Sequence, residues 1–203
     1  MRNTKRHQNR RAAVVAGTAL FTLSAGLTAP AYATPAVPGT TRFFTIQPDH
    51  ARGSMCLDVA HASGAHGADI VQARCTPRNR NQHWSIVSLG RGSRFEVRPR
   101  HTGSTTCMDV ENFSRAHMAN VLQAGRCTGG SNQAWTFRGG TELFNGEVVP
   151  SIGGLVQIRP SHVRNMCLDV AHLSIVHGAN VIQGRCWNGP NQLWRFTPVP
   201  PGT

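Results

Sequence analysis

Beyond residue 33 the chain has no lysine and no tyrosine; its single Lys is Lys5 and its single Tyr is Tyr32. Acids are scarce as well. Nine Asp and Glu stand against 16 Arg after that point, a net charge near +7. So few carboxylates leave little from which to build a catalytic centre. Glu96, Glu111, Glu142 and Glu147 have no recurrent partners, and neither paired glutamates nor a Ser-His-Asp order runs along the chain. The expectation is a protein that is not an enzyme. No amphipathic 3.6-residue periodicity follows residue 33, which excludes a helical domain. No second apolar run approaches the ~20 residues of a membrane span. The arginines are dispersed, and no basic–aromatic run suggests a stacking groove. No specific nucleic-acid recognition is expected, only salt-sensitive contact.

The N-terminus has a different composition. Met1–Arg11 holds five positive charges and no acid, Ala12–Leu27 is an apolar run of small residues, and Ala31-Tyr32-Ala33 offers an A-x-A cleavage site. That order describes a signal peptide over residues 1–33 and hence a secreted, extracellular protein. The apolar run is too short for an anchor, and Arg10-Arg11 lacks the surroundings of a twin-arginine signal. A short exposed lead-in, 34–42, carries Pro35 and Pro38. The remainder is one ordinary domain in length.

What the chain does have, it has three times. Cys56-Leu57-Asp58-Val59, Cys107-Met108-Asp109-Val110 and Cys167-Leu168-Asp169-Val170 open three similar stretches, which close on Asn81-Gln82-x-Trp84, Asn132-Gln133-x-Trp135 and Asn191-Gln192-x-Trp194. Between them lie a His (His66, His117, His177), a Gln (Gln72, Gln123, Gln183) and a second Cys (Cys75, Cys127, Cys186). The Asp-to-His interval is 8 and the His-to-Gln interval is 6 in every copy. Such fixed spacing means one structural unit assembled three times, and up to three equivalent binding sites.

All six cysteines fall inside the repeats, two in each. An even number, regular spacing and export argue for disulfides rather than metal thiolates. The repeat suggests Cys56–Cys75, Cys107–Cys127 and Cys167–Cys186; pairing between repeats would break the equivalence of the units. Each such loop contributes ~3 kcal/mol in the chain-entropy picture.

The repeats run over 43–87, 95–137 and 156–196, within a domain spanning 43–197. Each begins with an alternating strand that stops at proline (Phe44-Thr-Ile-Gln-Pro, Phe95-Glu-Val-Arg-Pro, Val156-Gln-Ile-Arg-Pro). Further strands are expected at Cys-x-Asp-Val, around the Gln (Ile70-Val71-Gln72 and its equivalents), and at Gln-x-Trp, where Gln and Trp two apart would both point inward. The interval from Cys107 to Cys167 exceeds that from Cys56 to Cys107 by nine residues. The surplus falls in Arg138–Gly154, read as a surface loop or lengthened hairpin. Three four-stranded units, each too small for its own core, must share one. The fold expected is all-β, a β-trefoil with the three Trp side chains in its centre.

The repeated Cys-x-Asp-Val … Gln … Cys … Asn-Gln-x-Trp pattern resembles the ricin B-chain-type lectins, β-trefoils with three Gln-x-Trp motifs, over essentially the whole mature chain. The resemblance implies a shallow sugar pocket on each repeat: Asp58 with Asn81 and Gln82, Asp109 with Asn132 and Gln133, Asp169 with Asn191 and Gln192. A carboxylate accepts charge-assisted bonds from sugar hydroxyls, and an amide both donates and accepts. Implied with these are a carbohydrate partner, no cofactor, and a free-standing monomeric module.

One part of the family pattern is missing. Sugar-binding members place a Trp or Tyr between the Gln and the second Cys, where the sugar ring stacks. Here that interval holds Ala73-Arg74, Ala124-Gly125-Arg126 and Gly184-Arg185. Arg74, Arg126 and Arg185 recur as faithfully as the Asp residues. One reading pairs each with the Asp of its own repeat; the other makes them accessory contacts for an anionic glycan. Trp187, the one Trp outside the motifs, either packs on its disulfide or replaces the lost platform in repeat three. The recurrent His, with His61 and His172 nearby, lack partner ligands matched across all repeats, so a turn role is expected and no metal site. An alternative function from another class is a protein-binding scaffold, an inhibitor or toxin-associated subunit, with vestigial sugar sites.

Overall fold

The computed structural model describes residues 42–90, 92–144 and 147–203. The expected signal peptide and nearly all of the lead-in lie outside them. Among the described residues, helical structure is confined to single 3-10 turns, as the absence of 3.6-residue periodicity requires.

Repeat one supplies β1 (Phe44–Pro48), β2 (Met55–Val59), β3 (Ala68–Arg74) and β4 (Trp84–Ser88); repeat two supplies β5 (Phe95–Pro99), β6 (Cys107–Val110), β7 (Ala119–Ala124) and β8 (Trp135–Gly139). The surplus segment forms its own hairpin, β9 (Thr141–Phe144) with β10 (Glu147–Pro150). Repeat three then supplies β11 (Leu155–Pro160), β12 (Met166–Val170), β13 (Ala179–Arg185) and β14 (Trp194–Pro198). The first and last strand of every repeat close a six-stranded antiparallel barrel in the order β1-β14-β11-β8-β5-β4. The middle pairs, β2/β3, β6/β7 and β12/β13, are three hairpins whose inner strands β3, β7 and β13 pair with one another around the pseudo-threefold axis. This is a β-trefoil.

The core is built in layers of three. Trp84, Trp135 and Trp194 are fully buried, and each indole N–H donates to a hairpin carbonyl, of Leu57, Met108 and Leu168, at 2.9–3.0 Å. The same three carbonyl-bearing residues form a second buried layer, Val59, Val110 and Val170 a third, and Ile70, Val121 and Val181 a fourth. Burial of each such side chain contributes roughly 1.5–3 kcal/mol, and no single repeat encloses any of them by itself. Three disulfides brace the hairpins, Cys56–Cys75, Cys107–Cys127 and Cys167–Cys186, all within repeats.

One element differs from expectation. The fourth strand begins at the Trp, not at the Gln. Gln82 sits in a 3-10 turn and Gln133 and Gln192 in the equivalent turns. Their amides are drawn away from the barrel by stronger partners around the second Cys.

Candidate functional site

Each repeat folds its polar residues into the same cradle. In repeat one, Asn81 Nδ2 donates to Asp58 Oδ1 at 2.9 Å and Gln82 Nε2 to Asp58 Oδ2 at 2.8 Å. Repeat two has Asn132 and Gln133 on Asp109, both at 2.7 Å. Repeat three has Asn191 and Gln192 on Asp169, at 2.7 and 2.6 Å. All nine residues expected at the sites therefore meet in threes, as the motif positions imply. Each Gln also brackets the second Cys. Its oxygen accepts the N–H of the following residue (Thr76, Thr128, Trp187), and its Nε2 donates to the carbonyl of the preceding Arg. Each Asn Nδ2 reaches in addition the carbonyl of the Val after the Asp.

The three carboxylates are only 5–7% exposed. Burial pushes each pKa above its ordinary value, opposed first by the Gln and Asn bonds and then by two nearby His side chains. Each carboxylate oxygen receives one amide donor and keeps a second lone pair. A hydroxyl that reaches the cradle is therefore met by an acceptor whose position is already fixed.

The pairing of Asp with the Arg of its own repeat is not what the structure has. Both oxygens are taken by amides, and the ion pairs among the described residues are Arg98–Glu96 and Arg195–Asp49. The backbone carbonyls of Arg74, Arg126 and Arg185 serve the cradle, while their side chains are exposed. The cluster of metal-ligand type found among the described residues joins Glu96 to Cys107 and Cys127, whose sulfurs are already in a disulfide.

The recurrent His residues turn out to connect repeats. The turn ending at His66 docks on β7, that ending at His117 on β13, and that ending at His177 on β3. His66 Nδ1 accepts the Gly125 N–H at 3.1 Å, His117 that of Arg185 at 3.2 Å, and His177 that of Arg74 at 3.1 Å. Gln72, Gln123 and Gln183, all fully buried, clasp the same turns through two carbonyls each. A second set went unnoticed in the sequence although its signal is regular: His50, His101 and His162 each stand two residues after the proline that ends the first strand. Their Nε2 atoms bond the carbonyls of Ser174, Ser63 and Ser114 at 2.8–2.9 Å, again across a repeat boundary.

The rims differ. After each Asp-Val the chain passes through two successive left-handed residues, His61-Ala62, Asn112-Phe113 and His172-Leu173, with φ between 50° and 58°. For non-glycine residues this conformation costs roughly 1–3 kcal/mol each and concentrates at functional sites. The second residue points outward. Phe113, 54% exposed, stands beside the Asn132 amide: a Cβ on Gly130 would meet Asn132 Oδ1 at 2.9 Å and the Phe113 ring at 3.8 Å. Trp187, 57% exposed, lies across Gly189, two residues before Asn191. It rests on the cradle's lip in repeat three.

Two family models match the chain: a ricin-type β-trefoil lectin domain-like model over residues 36–124 and the ricin-type β-trefoil lectin domain model over residues 95–200. Among solved structures, the designed threefold-symmetric protein ThreeFoil is 32% identical. It superposes with a TM-score of 0.63 over 76% of this chain and 97% of its own. The exo-β-1,3-galactanase 1,3Gal43A from Clostridium thermocellum aligns over 80% of this chain but 31% of its own, at 24% identity and a TM-score of 0.65. The C-half of an earthworm R-type lectin, solved with GalNAc, aligns over 77% of this chain and 98% of its own, at 18% identity and 0.54. The last two likenesses speak to fold alone. Among curated protein sequences none matches. With the second family model covering more than half of the chain and the trefoil, its repeats and its cradles in place, the chain belongs to the ricin-type β-trefoil lectin domain family.

Proposed function

We propose that this protein is a secreted, monomeric lectin that binds carbohydrate reversibly in up to three pockets and catalyses no reaction. The observation that carries the reading is the Asp–Asn–Gln cradle, present with the same bonds in all three repeats. A pre-aligned acceptor with amides beside it suits the vicinal hydroxyls of a sugar, and little of the cradle has to reorganise on binding. The finer proposal is a preference for anionic glycans, such as uronic acids or phosphate-bearing polymers. Arg74, Arg126 and Arg185 support it, exposed on the segments beside the cradles, with no acid at ion-pair distance among the described residues. A guanidinium suits bidentate capture of a carboxylate or phosphate.

A glycan array spanning neutral and acidic polysaccharides, read with Asp58→Ala, Asp109→Ala and Asp169→Ala singly and together, tests the reading. Graded loss across the variants is expected, with near-complete loss in the triple. Arg185→Ala should weaken binding to acidic glycans only. The second reading, a protein-binding scaffold, is favoured by exposed Ile175, Val176 and Trp187. It gains the ground if the folded parent binds no glycan at all.

A further inference from the structure

We propose that each pocket is completed by the turn histidine of a neighbouring repeat: His177 for the Asp58 pocket, His66 for the Asp109 pocket and His117 for the Asp169 pocket. The inference rests on the lectin reading and names residues that stand where the family pattern lacks its aromatic. The missing ring belongs to the interval between the Gln and the second Cys. In all three repeats the backbone N–H taken by a histidine is that of the residue two after the Gln: Arg74 after Gln72, Gly125 after Gln123, Arg185 after Gln183. An aromatic ring is therefore present beside that interval, delivered from another part of the chain. It follows the pattern cyclically, so that no repeat builds its pocket alone.

The electrostatics agree with the placement. Two histidines from other repeats favour each ionised carboxylate, first His177 and then His101 for Asp58, His66 and then His162 for Asp109, and His117 and then His50 for Asp169. The second of each pair has its Nε2 on a Ser carbonyl, which leaves the turn histidine as the one to meet a ligand. The three imidazoles are exposed even though their turns are clasped. In repeat two the His66 side chain lies close over the Gly125 backbone, where an added Cβ would meet His66 Cβ at 3.0 Å and its ring Cγ at 3.7 Å.

The hydrogen bond also sets the tautomer. With Nδ1 accepting a backbone N–H, the neutral ring carries its proton on Nε2. The pocket thus gains two things from one side chain: an aromatic face for the apolar side of a sugar ring, and an Nε2–H donor. The cradle by itself offers an acceptor carboxylate whose amide neighbours are already engaged, so a fixed donor complements a sugar oxygen that the Asp does not serve.

The experiment isolates the Asp58 pocket by Asp109→Asn and Asp169→Asn, with tryptophan fluorescence and thermal melts confirming the fold. Galactose, lactose and galacturonic acid are titrated by NMR and calorimetry. His177→Ala is expected to weaken binding about tenfold, the scale of one aromatic contact with a hydrogen bond, and His177→Phe to recover part of the loss through the ring face. Arg164→Ala, an exposed side chain between β11 and β12, is expected to leave affinity unchanged. In the parent, sugar is expected to shift the His177 ring resonances. Binding unchanged within twofold in His177→Ala overturns the proposal, as do unmoved His177 resonances in a parent that binds. A folded parent that binds none of the probes or array glycans overturns the lectin reading itself, and this proposal with it.

Discussion

The three buried glutamines that clasp the turns should not be worth the same. Gln123 donates to Ser63 and Ala65 carbonyls at 2.9 and 3.0 Å, and its oxygen accepts the Thr106 hydroxyl at 3.1 Å. Gln72 and Gln183 make the two carbonyl bonds, but their Oε1 atoms are buried with no partner among the described residues. Replacement by methionine keeps length and volume while deleting all polar bonds. For Gln123→Met three bonds at ~1 kcal/mol each give about 3 kcal/mol of destabilisation. For Gln72→Met and Gln183→Met the ~2 kcal/mol lost is offset by relief of a stranded acceptor worth roughly 1–3 kcal/mol, leaving a net near zero. In every case one of the released carbonyls keeps a histidine partner, His101 on Ser63, His50 on Ser174 and His162 on Ser114, so that contribution cancels from the comparison. At about 2–4 °C per kcal/mol for a domain of this size, Gln123→Met should melt about 6–12 °C below the parent and the other two close to it. Urea titration and thermal melts followed by tryptophan fluorescence measure the series. Three equal losses, or Gln72→Met as the most costly, would refute the reasoning.

Acidification should separate binding from stability. Burial raises the Asp58, Asp109 and Asp169 pKa values above the ordinary 3.8, so these groups take up protons at a pH where free carboxylates are still ionised. Sugar binding should fall as pH drops through that raised range. The same shift makes the folded state hold those protons more tightly than the unfolded chain. The sites therefore gain relative stability as pH falls, fully so below the unfolded value. Calorimetric titrations against pH test the first half, and denaturation of parent against the triple Asp→Asn variant tests the second. Trp135→Ala, which empties a fully buried position and removes the Met108 carbonyl's indole partner, should cost about 3–5 kcal/mol in urea denaturation. Replacing Cys167 and Cys186 by serine should cost about 3 kcal/mol in the same assay, from loss of the cross-link on the unfolded chain.

The trefoil was legible because its determinants are local and repeated. The alternation before each proline, the Cys-x-Asp-Val run and the Trp at a fixed offset are all read within one repeat. The cradle was legible for the same reason: Asp58, Asn81 and Gln82 lie within one unit and one motif. The role of Gln82 was misjudged because period-two reasoning assumes an extended backbone. The turn before Trp84 breaks that assumption, and the amide goes to Asp58, Thr76 N–H and the Arg74 carbonyl instead of the barrel. The His contacts were hidden for a different reason. His177 meets Arg74 across a separation of 103 residues, and only the closure of the threefold axis tells which repeat a turn will touch. The Arg–Asp pairing failed because Arg74, Arg126 and Arg185 give the cradle their backbone carbonyls while their side chains stand exposed, and the Asn and Gln amides bind the carboxylates instead.

These two classes of residue have different freedom to vary between repeats. The Asp, Asn and Gln of a cradle bond one another, the Gln also holds the backbone on both sides of the second Cys, and the Asn holds the carbonyl of the Val after the Asp. Changing any of them therefore leaves a buried group unpaired at a cost of about 1–3 kcal/mol. The rim carries no such penalty. The outward position after the left-handed pair is Ala62, Phe113 or Leu173, and the turn before the recurrent His is Gly64-Ala65, Arg115-Ala116 or Ile175-Val176. Trp187 occurs in repeat three alone. The turn that docks on the strand beside Asp58 carries Ile175 and Val176, the one beside Asp109 carries Gly64 and Ala65, and the one beside Asp169 carries Arg115 and Ala116. Phe113 stands on the repeat-two side and Trp187 on the repeat-three side. Three cradles of one chemistry are thus walled in three ways. A single ligand titrated into the protein should give unequal site affinities, with a spread that narrows when Phe113 and Trp187 are both reduced to alanine. A polymer that spans two pockets would still gain from all of them, because the barrel holds the cradles at fixed separations and the second contact is intramolecular.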